Sequence, residues 1–261
     1  MVKRSTLAVS LVVVLTLLSG CSAVLDGGGN GNATDGDGPS DPAGFEYADG
    51  YGPDGVTDGS VAVESHQSSL IDGGSFTGTY TYEVEANNET TAVNVESRVD
   101  FESEENYQRV DVDTPQSTSV VEVYRNSDTR YRRSEFNNQS SVQSQDRTFV
   151  AENVTALDPV RPLLLNISAY DSSVVERNGT TVVVYEKTSS EGVDSFYGVQ
   201  DSANISSFSG TMAVDSDGVV RSADYEMTYT VDGQQRTLSV EYSLSAVGDT
   251  SVERPAWVDE A

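Results

Sequence analysis

The feature that most constrains the fold is a one-by-one alternation of apolar and polar residues that begins near residue 75. Over residues 75–85, Phe76, Tyr80, Tyr82 and Val84 alternate with threonines and Glu83. A period of two places successive side chains on opposite faces, which predicts an antiparallel strand with one buried face. The same alternation returns beyond an Asn-Asn pair, at Val93, Val95, Val99 and Phe101. A fold built mainly from antiparallel hairpins is therefore expected.

Shorter segments extend this prediction along the chain. We expect strands over residues 107–112, 120–124, 129–133, 182–185, 210–214, 219–229 and 236–244. Residues typical of tight turns separate several of them, at 87–88, 125–128, 215–218 and 232–233. The last third of the chain should form a meander of sequential hairpins.

One helix is predicted immediately before the first strand. Asp58 or Ser60 can cap it, apolar-face positions recur at Val63, His66 and Leu70, and Gly73-Gly74 follows as a stop signal. His66 is the only histidine, and its place among apolar positions favours a core contact over a catalytic role. No zinc site can be built around it with so few other ligands.

Two further helical segments are expected. Asp158-Pro159 and Pro162 precede Leu163, Leu164 and Leu165, which indicates a short buried helix because the leucines are too crowded to face one narrow stripe. A second short helix or irregular segment is expected near residues 192–207, with apolar points at Phe196, Tyr197 and Ile205.

The N-terminus has the layout of a secretion signal. Lys3 and Arg4 precede an apolar run over residues 7–18, followed by Ser19, Gly20 and Cys21. The run is shorter than the ~20 apolar residues that span a bilayer, so we expect signal peptide 1–20, cleavage between Gly20 and Cys21, and lipidation of Cys21. Cys21 is the single cysteine of the chain, so no disulfide partner competes for it. A protein held by lipid at the extracellular face of the cell membrane is predicted.

Beyond Cys21, residues 21–59 are rich in Gly and Asp and contain no Lys or Arg. Such a segment buries too little apolar area to offset the entropy of ordering, so we expect a disordered acidic tether that leads to a single domain over residues 60–261. The Asp-Gly pairs lack the ligand ladder of a calcium loop.

The charge of the chain indicates the surroundings in which the protein works. The chain has 42 Asp and Glu against 15 Lys and Arg, a formal net charge of -27, and the acids are spread along its length. This balance disfavours binding to nucleic acid. With only two lysines, the composition resembles secreted proteins of halophilic archaea. Sequons at Asn32, Asn88, Asn138, Asn153, Asn178 and Asn204 are candidates for N-glycosylation, and Asn166 is a less favourable one.

The order of elements along the chain resembles that of the LolA and LppX/LprG-type lipoprotein carriers. The elements are the lipobox, which is the lipidation signal ending at Cys21, the tether, the His-containing helix, the hairpin VYRNSDTRYRR, the Asp-Pro leucine helix and the closing meander. The resemblance covers residues 60–255 and rests on element order. It implies an α+β, mainly antiparallel fold: a strongly curved sheet, or open half-barrel, covered by a few helices. It also implies an apolar cavity that holds lipid acyl chains.

The residues support binding better than catalysis. With Cys21 committed to lipid and His66 on a helix face, no nucleophile and base pair is found, so an enzyme, a cofactor or a metal site is not expected. Arg125, Arg130, Arg132 and Arg133 form a run that can clamp a phosphate or sulfate headgroup or neutralise neighbouring carboxylates. Arg130 and Arg132 should face opposite to Arg133.

The predicted ligand-binding residues are Tyr124, Tyr131, Arg132, Arg133, Leu163 and Leu164. Two functions stay open at this point. One is a monomeric, membrane-anchored carrier of a lipid or other apolar ligand. The other is a non-catalytic structural or interaction module of the archaeal cell envelope, with a core filled by its own side chains.

Overall fold

A computed structural model describes residues 44–137, 139–167, 169–177, 179–193 and 204–261. Two short strands, β1 (Tyr51–Gly52) and β2 (Gly55–Val56), precede helix α1 (Gly59–Asp72) and strand β3 (Ser75–Ala86). Strands β4 to β8 follow at Glu89–Asp100, Glu105–Thr114, Ser117–Arg125, Thr129–Phe136 and Gln139–Asp146. After helix α2 (Arg161–Asn166) come β9 (Asp171–Arg177), β10 (Thr180–Lys187), β11 (Asn204–Asp215), β12 (Val220–Val231) and β13 (Gln234–Ser245). Short 3-10 helices lie at Ala151–Val154 and Ala256–Glu260.

Eleven of these strands form one antiparallel sheet in the order β8-β7-β6-β5-β4-β3-β13-β12-β11-β10-β9. The sheet is curved and does not close, so β8 and β9 are its two edges. Register shifts at two points of the β11 and β12 pair add local bends. The predicted α+β open half-barrel with few helices is confirmed.

The turns follow from residues that tolerate a left-handed backbone. Asn87 and Asn88 have φ of 55° and 62°, and Asp232 has φ of 53°, as two-residue hairpin loops require. In the turn after β6, the Asn126 side chain accepts bonds from the backbone N–H of Asp128 and Thr129. The predicted positions of these turns are confirmed.

Four strands escaped sequence-based prediction: the two-residue strands β1 and β2, and the two edge strands of the large sheet, β8 and β9. Every residue of β8 except Val142 is exposed, so the strand has no apolar alternation to detect. Strand β9 buries only Val174. An edge strand that pairs with one other strand and exposes both faces to solvent lacks the period-two signal of the interior strands.

Helix α1 follows its sequence signals. The Asp58 carboxylate accepts bonds from the N–H of Ser60 and Val61, the capping arrangement that satisfies the first turn. The helix ends before Gly73, and Gly74 has a φ of 79°. Its buried face includes Val63, His66 and Leu70, as predicted.

Helix α2 is confirmed with a correction at its start. It begins at Arg161 with Pro162 in the first turn, so Asp158-Pro159 lies outside it. Leu163 and Leu164 are buried, but Leu165 is exposed. In the segment 192–207, Phe196 and Tyr197 lie outside the described residues, and the helical prediction is wrong for Ile205, which lies in β11.

The folded domain starts earlier than residue 60. Tyr51 is buried in the core and stacks on Tyr185, and its hydroxyl donates to the Gly218 carbonyl. The N–H of Tyr170 donates to the Asp54 carbonyl. The prediction of a disordered tether up to Gly59 is therefore wrong for residues 45–59, since Phe45, Tyr47 and Ala48 also pack against the core and Gly59 begins α1.

The predicted signal peptide and Cys21 lie outside the described residues. Among the helices that the structure does describe, none is both long and apolar enough to cross a bilayer.

Candidate ligand-binding face

The curved sheet has two chemically different faces. We call the inner face the one that packs on α1 and α2. Its apolar wall across β3 to β6 consists of Tyr80, Tyr82, Val93, Val95, Val110, Val112 and Val121, all buried in the main core. Across β12 and β13 the inner face continues through Tyr225, Met227, Leu238 and Val240. Both sets arise because each strand alternates, and only every second residue reaches this face.

Polar residues form two rows at one end of the inner face, where β4 ends and β5 begins. Ser97 is paired with Gln108, and Asn106 with Arg125. Arg125 is in turn paired with Arg130, and Arg132 lies two residues further along β7. Paired residues on one face have Cβ atoms about 5 Å apart, so Ser97 adjoins Gln108 and Asn106 adjoins Arg125, whereas Val123 lies between Gln108 and Arg132. Arg125, Arg130 and Arg132 are called the inner arginines below.

Two of these buried polar side chains have unused hydrogen-bonding capacity. Ser97 and Asn106 are fully buried, and neither the Ser97 hydroxyl nor either polar atom of the Asn106 amide has a hydrogen-bond partner among the described residues. A buried polar group without a partner costs roughly 1–3 kcal/mol. The fold therefore carries a polar spot on the inner face that a bound polar group would stabilise.

Charge is segregated between the two faces of β5 to β8. The inner face of these four strands holds three arginines and no Asp or Glu, as follows from their pairing register. Their outer face holds Glu105, Asp111, Asp113, Glu122, Glu135 and Asp146. In a chain of net charge -27, this partition makes the inner wall locally cationic.

The outer face holds an aromatic cluster with ion pairs. Tyr124 packs against Trp257 and Tyr131, and its hydroxyl donates to the Glu105 carboxylate. Burial is the main cause that raises the pKa of Tyr124 above its ordinary value, and this bond to Glu105 adds to it. The cluster fastens the C-terminal 3-10 helix to the outside of the sheet, away from α1 and α2.

Arg133 belongs to this outer face. Its guanidinium donates to Glu122 at 3.0 Å and also pairs with Glu135. Glu122 is buried and accepts a second bond from the Tyr107 hydroxyl at 2.8 Å. Arg133 thus neutralises carboxylates across strands, which is the alternative role that the sequence left open.

The six residues predicted to bind ligand do not form one site. Tyr124, Tyr131 and Arg133 lie on the outer face, and Arg132 lies on the inner face. Leu163 and Leu164 are buried in the main core. The prediction chose neighbours in sequence, whereas adjacent residues of a strand face opposite ways. Asn106, Ser97 and Gln108 were missed, and their signal was a polar residue at an otherwise apolar alternation position.

His66 is buried where α1 meets the sheet. Its Nδ1 accepts the N–H of Val220 and its Nε2 donates to the Thr155 carbonyl, both at 3.2 Å. Burial, with the nearby charge of Arg221 adding to it, lowers the pKa of His66 to about 4. The ring is therefore neutral at pH 7 and joins three segments of the chain. The part of the chain described contains no cluster of side chains able to hold a metal ion.

Of the sequon asparagines, Asn88 and Asn153 are exposed and Asn166 is half-buried. Asn32, Asn138 and Asn178 lie outside the described residues, and Asn204 begins β11.

Comparison with known proteins gives the family. The sequence matches a family of unknown function, DUF7537, over residues 6–261, and the chain belongs to that family. No curated protein matches the sequence. Among solved structures, the fold is similar to a DUF1329 family protein from Desulfovibrio piger, with 13% identity and a TM-score of 0.27. That match covers 77% of this chain and 97% of the other.

Proposed function

We propose that this protein is a membrane-anchored, extracellular binding protein that holds a lipid or similar amphiphile against the inner face of its half-barrel. The observation that carries the proposal is the composition of that face. An apolar wall adjoins a polar, cationic row, which is the distribution of polarity along an amphiphile. Ligand sites of this kind are mainly apolar, with a few polar groups that fix orientation.

The proposal is for binding and not for catalysis. The single histidine is enclosed and makes two structural hydrogen bonds, so its ring is occupied in holding the fold together. A general base must reach the proton that it takes from a substrate, and the Nδ1 lone pair of His66 already accepts the N–H of Val220.

The anchor is proposed to be lipid on Cys21, reached through a tether that ends by residue 44, since Phe45 and Tyr47 pack against the core. A Cys21→Ala variant tests it in the native host. We expect wild-type protein in the membrane fraction, with the mass of a lipidated chain that begins at residue 21. The variant should stay unlipidated. Wild-type protein that keeps its first 20 residues and a free thiol would contradict the anchor.

Binding is tested by native mass spectrometry of protein purified from its own host, with a pair of variants that differ only in the face they occupy. Val121 belongs to the inner face and Val120 to the outer face of the same strand, β6. An indole at Val121 should occupy ligand space, so Val121→Trp should lose the co-purifying amphiphile. Val120→Trp should retain it.

The same pair of variants distinguishes the binding proposal from the alternative, an envelope module with a filled core. The burial of the inner valines favours that alternative. In a filled core, Val121→Trp overpacks and destabilises by about 1–3 kcal/mol. Absence of any bound amphiphile from wild type, together with such destabilisation, would refute the binding proposal.

A further inference from the structure

We propose that the inner arginines, with Asn106, bind an anionic headgroup carrying phosphate or sulfate, so that the ligand is an acidic amphiphile. This inference rests on the proposed binding function and adds the class of ligand. It is carried by the charge partition across β5 to β8 and by the unused hydrogen-bonding groups beside it.

The first step is the juxtaposition of positive charges. Arg125 and Arg130 are directly paired across β6 and β7, and Arg132 lies on the same face. Like charges directly opposite each other in a sheet are destabilising. Both paired arginines also interact with other groups of the protein. An anion in front of them would offset the repulsion between their guanidinium groups.

The second step is the capacity to bind. Arg132 is half-buried and makes no hydrogen bond or ion pair with any residue that the structure describes. Its guanidinium presents donors in a fork that matches two oxygens of a phosphate or sulfate. The Asn106 amide adds two further donors from a fully buried position. A tetrahedral oxyanion, with several acceptor oxygens, fits this donor set.

The third step is position. The polar rows, which also contain Val99 and Val123, occupy one end of the inner face, and the wall is wholly apolar from the next pair of residues along the strands, Val95 and Val110. A headgroup at the arginines therefore places an attached hydrocarbon chain along the valines. Free phosphate would use the same donors without the wall.

The test uses the full-length protein and two lipids with the same palmitoyl chain: lysophosphatidylglycerol, which carries an anionic phosphate, and monopalmitoylglycerol, which is uncharged and has no phosphate. Affinities are measured by native mass spectrometry below the micellar concentration. We expect the anionic lipid to bind about tenfold more tightly, as a charge-assisted hydrogen bond provides. Inorganic phosphate alone is the third probe and should bind far more weakly than the anionic lipid.

Arg132→Gln and Arg133→Gln form the matched pair, since these neighbours lie on opposite faces of β7. We expect Arg132→Gln to remove most of the preference for the anionic lipid and Arg133→Gln to keep it. Asn106→Leu should weaken the preference without lowering the unfolding temperature, because its amide has no partner within the described residues.

Each outcome decides something. Equal binding of both lipids by wild type, or equal loss in the two arginine variants, would overturn the headgroup site and leave the binding function intact. Tight binding of phosphate with no binding of either lipid would identify a free-anion site instead. Failure of all three probes would refute the headgroup site, and the host-purified protein would then decide the proposed function separately.

Discussion

The single histidine should make the stability of the protein fall on mild acidification. Burial lowers the pKa of His66 from 6.5 to about 4 in the folded state. The unfolded chain therefore takes up a proton at a higher pH than the folded chain does. The stability contributed by the neutral ring is fully present above pH 6.5 and is lost as the pH falls through the folded pKa.

The size of this loss of stability follows from the pKa values of His66 in the folded and unfolded states. A shift of one pKa unit corresponds to about 1.4 kcal/mol, so the fall from pH 6.5 to pH 4 removes about 3 kcal/mol from the free energy of unfolding. Protonation of Nδ1 places a donor against the Val220 N–H, which itself donates. The charged ring then loses one of its two hydrogen bonds in a site without solvent.

The assay is denaturant unfolding of wild type and His66→Gln between pH 8 and pH 4. Many carboxylates also titrate in this range, and the difference between the two proteins cancels their contribution. The difference should be constant above pH 7 and should shift against wild type by about 1.4 kcal/mol per pH unit below 6.5. The imidazole NMR signal should titrate with a midpoint near 4. A midpoint near 6.5, or a difference that does not depend on pH, would refute the assignment of a buried neutral ring.

Three further predictions concern the outer face and one turn. Trp257→Ala should lower the free energy of unfolding by about 3 kcal/mol, because Trp257 is buried on the outer face. Asp259→Asn, in an exposed ion pair, is the control and should leave the denaturation midpoint unchanged. Equal effects of the two substitutions would contradict the packing of the C-terminal 3-10 helix on the sheet. Glu122→Gln should cost about 2 kcal/mol in urea unfolding, since its carboxylate accepts from two donors; an unchanged midpoint would show that the pair is solvated. Asn88→Val should lower the free energy of unfolding by about 1–2 kcal/mol, because Asn88 has a φ of 62°, and Asn88→Gly should be close to wild type. Unchanged stability of the valine variant would show that residue 88 does not adopt this left-handed conformation.

The sequence predicts the interior of this fold well, for a physical reason. Each interior strand must bury one face, so Phe76 to Val84 and Leu238 to Leu244 show the period of two. Caps and turns are equally local, as Asp58 and Asn88 demonstrate. The edge strands β8 and β9 bury little, so their sequences carry no comparable signal.

The candidate site is harder to predict because it depends on pairing between strands. The sequence shows that Arg130 and Arg132 face opposite to Arg133, and the structure agrees. It does not show that Asn106 lies beside Arg125, because that contact depends on the register of β5 and β6. The order in the segment before residue 60 was missed for the same reason, since Tyr51 is ordered by the distant Tyr185.

The central claim, that the inner face holds an amphiphile, is tested most directly by a crystal structure with phosphatidylglycerol whose acyl chains carry bromine. Anomalous scattering locates the bromine atoms without reference to any assumed pose. We predict peaks along the inner valines Val95, Val110 and Val121, with the headgroup at Arg132. Bromine on the outer face, or an interior completely filled by the protein's own side chains with no bound lipid, would contradict the claim.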